Sequence, residues 1–135
     1  MAGARGGALE WALALLQAPG ERHALRKRPL PDGVDLVLAI ASGGRSAALA
    51  EAVAETGHDE ATLREAARFY AREILFYPQA DAYRMLGVPP DAPAEVIRGH
   101  HRLLQQWLHP DRQQSADDAV FAARINTAWN QLRTQ

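Results

Sequence analysis

Apolar residues recur every three or four positions along most of this chain, which predicts an all-α protein. Leu9, Ala12, Leu13 and Leu16 mark a first helix over 8–17, closed by Pro19-Gly20. Residues 21–33 carry Arg22, His23, Arg26, Lys27 and Arg28 with Pro29 and Pro31, the composition of a basic, proline-broken connector on a solvated surface. Asp32 is placed to cap the next element. The run Val34, Leu36, Val37, Leu38, Ile40 before Ser42-Gly43-Gly44 reads either as a buried strand entering a phosphate loop or as a short helix over 33–41. The helix is preferred because the chain offers no second strand to pair with it. A helix over 45–55 comes after it, with Ala48, Leu49, Ala52 and Val53 inward and Gly57 as its stop. Asp59 caps the longest element, in which Leu63, Ala66, Ala67, Tyr70, Ile74 and Tyr77 share one stripe until Pro78 ends it. This gives an N-terminal module of three or four helices over residues 1–80, joined through Pro78-Gln79-Ala80 to a second unit over 81–135. Because that linker is short and Phe76 and Tyr77 beside it need burial, the two halves are expected to pack together.

In the second unit, Tyr83 and Leu86 mark a brief helix ended by Gly87, and Pro89-Pro90-Asp91-Ala92-Pro93 turns the chain. Proline suits the first turn of the next helix, where its missing N–H costs nothing. Along that helix Ile97, His101, Leu104 and Leu108 make the inward stripe. Arg98, Arg102, Gln105 and the following His109 look out from one side, since about 100° per residue brings 98 and 109 to nearly the same direction. Pro110 stops the helix. A last helix over about 117–132 begins at Asp117 and Asp118, which suit its positive end, and buries Phe121, Ile125, Ala128, Trp129 and Leu132. The pair forms an antiparallel αα-hairpin whose loop bears His109-Pro110-Asp111.

A His-Pro-Asp tripeptide alone is a common way to end a helix. Here it lies 28 residues after Asp81, the start of Asp81-Ala82-Tyr83-Arg84-Met85-Leu86-Gly87-Val88. Arg98 and Arg102 precede it, Arg112 comes directly after it, and Ile125-Asn126-Thr127-Ala128-Trp129 lies beyond. In this combination residues 81–133 resemble the J-domain of the DnaJ-like co-chaperones, a resemblance that does not reach residues 1–80. The resemblance implies that His109, Pro110 and Asp111, with Arg98 and Arg102 on the basic face and Arg112 on the flank, dock on a DnaK-type (heat shock protein 70) chaperone and stimulate its ATP hydrolysis. Residues 1–80 would then bind a client protein or localise the chain. The chain also departs from the pattern: Leu103 stands at a usually basic position, Trp107 replaces a frequent lysine, Leu108 the usual tyrosine, and Gly99 a helix former. These changes favour, as a rival, a J-like module that binds a partner without stimulating ATPase.

Composition narrows the remaining classes. The formal charge is −1, with nine basic and ten acidic residues in 1–80 and six of each in 81–135, so neither half has the basic excess that a phosphate backbone requires. No nucleic-acid partner is expected. The absence of cysteine fits a reducing compartment, with the cytoplasm as the default. The apolar stretch Ala12 to Leu16 is too short for a membrane span, and no signal peptide is read. His100, His101 and His109 do not converge on a helix-and-loop layout, so no metal is expected, and His101 reads as a core residue. Glu51, Glu55, Glu60, Glu65 and Glu73 read as solvated. Ser42-Gly43-Gly44-Arg45 lacks the spacing of a phosphate loop, and no paired carboxylates or nucleophile–base set can be assembled. No cofactor and no enzymatic activity are expected.

Overall fold

Side-chain caps set where three of the helices begin. Ser46 Oγ accepts from the Leu49 N–H (3.1 Å), Asp59 Oδ1 from Thr62 (2.8 Å) and Asp81 Oδ1 from Arg84 (2.8 Å), each satisfying a donor that the first helical turn leaves open. The structure is a computed structural model that describes residues 7–44, 46–112 and 115–133, whose regular elements are all helical, without a strand. The helices are α1 (Ala8–Gln17), α2 (Arg22–Arg26), α3 (Val34–Ala41), α4 (Ala47–Thr56), α5 (Glu60–Tyr70), α6 (Ala82–Met85), α7 (Ala94–Leu108) and α8 (Ala116–Arg133). Gly57, at φ +75°, ends α4 as its position predicts.

Several expectations need correction. The basic connector is partly helical: Pro19–Glu21 makes a 3₁₀ turn into α2. Its charges are not simply solvated, since Arg26 and Arg22 pair with Glu73 Oε1 at 3.2 and 3.5 Å and Glu73 is half-buried. Asp32 does not cap α3. The N-cap is Gly33, at φ +90°, and the Asp32 carbonyl instead accepts from the Ala8 N–H at 2.8 Å. Ala48 is exposed, leaving Leu49 and Ala52 as the buried residues of α4. The stripe through Tyr77 is not one α-helix: α5 ends at Tyr70 and Ala71–Leu75 continues as a wider π-type turn, so α8 is the longest element. Ile74 and Leu75 within that turn and Phe76 just after it are buried.

α1 packs on α5 and α3, α6 and α7 pack on α8, and α3 packs on α7. The buried apolar residues form one cluster that includes Leu15, Val37, Leu63 and Tyr70 from the first eighty residues and Leu86, Leu104, Leu108 and Ile125 from the rest. The two halves therefore share a core, as the short linker requires.

Arginines close the helix ends. The carbonyls of Ile40, Ala41 and Ser42, at the end of α3, accept from Arg64 Nε (3.4 Å), Arg68 Nε (2.9 Å) and Arg112 Nη1 (2.9 Å). Arg84 donates to the carbonyls of Ile74, Arg28 and Leu25 at 2.9, 2.8 and 3.1 Å. Arg124 does so to Phe76 and Tyr77 at 2.6 and 2.9 Å. Crowding tells on Arg68: burial foremost, then Arg64, Arg72 and Arg112, hold its guanidinium below the ordinary pKa, while Asp118 acts the other way.

Candidate partner-docking site

α7 is a three-sided helix, and its sides define the site. One side faces α8. His101 stacks on Trp129 with ring centroids 4.5 Å apart, while Leu104 and Leu108 share a cleft with Ala122 and Ile125, so the helices run against each other. Burial lowers the pKa of His101, with an Asn126 side-chain hydrogen bond opposing, so its ring is kept neutral.

A second side faces the N-terminal half. His100 is buried and its Nδ1 lies 2.9 Å from the Leu86 carbonyl. Trp107 is buried against Phe76 (centroids 5.8 Å apart), with Arg68 and Arg72 5.8 and 5.6 Å over its ring. Leu103 is half-buried on the same core. α3 runs alongside this face, from Val34, which abuts Gly87, to Ser42, which meets Arg112. The departures at 103 and 107 thus mark where α7 carries a second helical layer. Sequence reasoning registered them as missing charge and weighed His100 only as a metal ligand, so its burial on this face went unread.

The third side is open. Arg98, Arg102, Gln105 and His109 are all exposed, as their spacing predicts. Among the described residues, neither Arg98 nor Arg102 has an ion pair or hydrogen-bond partner. Arg102 also borders a groove shared with Asp32 and Asp35.

At the end of α7 the backbone of His109 turns extended and Pro110–Arg112 forms a single 3₁₀ turn. The Asp111 N–H donates to His109 Nδ1 at 3.1 Å. The Arg112 N–H donates to the His109 carbonyl at 2.7 Å. Asp111 Oδ2 lies 3.6 Å from His109 Nδ1, and the Asp111 side chain is 90% exposed. The turn therefore folds on itself through its backbone and presents a carboxylate to solvent. An apolar cleft lined by Leu104, Leu108, Pro110 and Ile125 opens beside it, a feature that no motif announces.

Arg112 differs from Arg98 and Arg102, since its Nη1 is engaged by the carbonyls of Ser42 (2.9 Å) and Gln106 (3.1 Å). The three histidines lie in separate settings, and no group of three or more metal-ligating side chains occurs among the described residues. No described helix is long and apolar enough to cross a membrane.

A stretch of 52 residues is 44% identical to the chaperone protein DnaJ of Ureaplasma parvum serovar 3 (strain ATCC 700970). It covers 38% of this chain and only 14% of that protein. The likeness supports a DnaJ-like segment and leaves the rest of the chain unassigned. No protein-family model matches the chain, and no solved structure does.

Proposed function

We propose that the chain is a J-domain co-chaperone. Its J-domain, residues 81–135, is built on the α7–α8 hairpin and docks on a DnaK-type chaperone through His109, Pro110, Asp111 and the Arg98–Arg102 stripe, accelerating the chaperone's ATP hydrolysis. The N-terminal helices supply a client or a location, and the chain itself does no chemistry and carries no cofactor. A reducing compartment such as the cytoplasm suits it.

The observation that carries this reading is the pairing of a solvent-facing Asp111 carboxylate with two disengaged arginines along the helix that leads to it. A carboxylate held by a proline-containing turn offers a charged acceptor whose natural mate is a guanidinium, and the turn reduces the ordering entropy lost on docking. Arg98 and Arg102 steer toward an acidic surface. The DnaJ likeness supports the same reading.

A second reading, in which the module binds a partner without stimulating it, is favoured by the thin basic face, because Leu103 and Trp107 are turned into the N-terminal half. A steady-state ATPase assay of a DnaK-type chaperone, with and without the full chain, separates the two. A rate that rises with the chain supports the first; binding with an unchanged rate supports the second.

A further inference from the structure

We infer that Arg112 is a positioning residue through which the N-terminal half fixes the tripeptide turn, and not a partner-contacting cation. Its Nη1 sits between two helix ends, 2.9 Å from the Ser42 carbonyl after α3 and 3.1 Å from the Gln106 carbonyl in the last turn of α7. Both oxygens belong to groups that a helix leaves unpaired and that carry its negative dipole end, so one cation between them satisfies both. The same residue's N–H closes the turn onto the His109 carbonyl at 2.7 Å. Asp111 therefore lies in a turn held from inside by its backbone and from outside by a side chain tied to a residue seventy positions away.

The acceptor is itself fixed. Ser42 is buried, its hydroxyl donates to the Ala39 carbonyl at 2.7 Å, and Arg68 holds the neighbouring Ala41 carbonyl. Gly43 is next, at φ +88°, and its N–H donates to the Ile40 carbonyl at 3.2 Å, which sets the direction of the Ser42 carbonyl. A displacement of residues 42–44 would be felt at Asp111 through one guanidinium. The functional half of this inference rests on the co-chaperone reading; the clamp does not.

The clamp is tested on the chain alone by amide hydrogen exchange. Gly43→Ala places a side chain at φ +88° and should redirect the Ser42 carbonyl; Arg112→Ala removes the donor. Both should speed exchange of the Arg112 amide by roughly fivefold, with the double variant no faster than Arg112→Ala, because both changes break one interaction. Arg112→Ala should also speed exchange of the Gly43 amide. Arg112 is exposed, so its variants keep the test open if Gly43→Ala does not fold. An unchanged Gly43 amide in Arg112→Ala, or effects of the two changes that multiply, overturns the clamp.

With a DnaK-type chaperone, Arg112→Ala should lower the maximal stimulated rate and leave the salt dependence of half-maximal stimulation as in the parent. A loss confined to salt-sensitive half-maximal stimulation assigns Arg112 to the partner and overturns the positioning role. If the parent chain gives no stimulation, the co-chaperone reading fails while the exchange experiment still decides the clamp.

Discussion

Gly87 lies against Val34 so closely that a β-carbon on the glycine would stand 2.9 Å from Val34 Cγ1. The contact joins the turn after α6 to the start of α3, and Gly87 also has φ +68°, where L side chains are strained. Gly87→Ala should cost about 2–3 kcal/mol from backbone strain and overpacking, lowering Tm by on the order of 5–10 °C. Val34→Ala makes room, so the two changes together should cost about 1 kcal/mol less than their sum. Thermal melts of the four proteins read this coupling, and strict additivity would contradict the contact.

Gly99 is the opposite case. Beyond its chain neighbours and its own helix backbone, no atom lies within 4 Å of the place its β-carbon would occupy, and its backbone is helical, so nothing in the structure requires glycine there. Gly99→Ala should raise stability by roughly 0.5–1 kcal/mol. A denaturant melt that shows destabilisation would mean that the side of α7 facing the groove with Asp32 and Asp35 is crowded rather than open.

His101, buried against Trp129, has a folded-state pKa below its ordinary value of 6.5. Its neutral form is favoured on folding. Stability from this group is thus complete above about pH 6.5 and is lost as pH falls toward the lowered pKa, where the unfolded chain takes up the proton first. His101→Phe, which keeps a ring on Trp129, should flatten the decline in Tm below pH 6.5. An identical pH profile in the variant would contradict a buried neutral imidazole.

Reversal of both free charges on α7, Arg98→Glu with Arg102→Glu, should leave stability within about 0.5 kcal/mol, since exposed side chains contribute little. It should slow association with a DnaK-type chaperone at low salt by roughly tenfold, and the difference should shrink as ionic strength rises. Stopped-flow association at two salt concentrations measures this. An unaltered rate would remove α7 as the docking surface.

The sequence pattern places α1, α3, α4, α7 and α8 within a residue or two, because their apolar stripes and the prolines and glycines that bound them are local signals that tertiary contacts do not override. The tripeptide and its outward arginines are legible for the same reason: 98, 102 and 109 share a direction by helix geometry alone. What stayed hidden was long-range. α2 lies in a stretch whose charges suggest solvent, and only Glu73, forty-seven positions away from Arg26, shows why they are there. The arginines that tie helix ends together read locally as surface charge, because no motif connects Arg84 to Leu25 or Arg124 to Phe76. Trp107 and Leu103 look like defects in a docking face until the helix they cover is in place.

On the co-chaperone reading, the carboxylate of Asp111 engages a DnaK-type chaperone and drives its ATPase. Asp111→Asn removes the charge at an exposed turn and keeps the side chain's size, so far-UV circular dichroism and Tm should match the parent. The decisive measurement is steady-state ATP hydrolysis by the chaperone across a titration of each protein. Stimulation by the parent and none by Asp111→Asn at any concentration is the expected result; equal stimulation by the variant would contradict the claim.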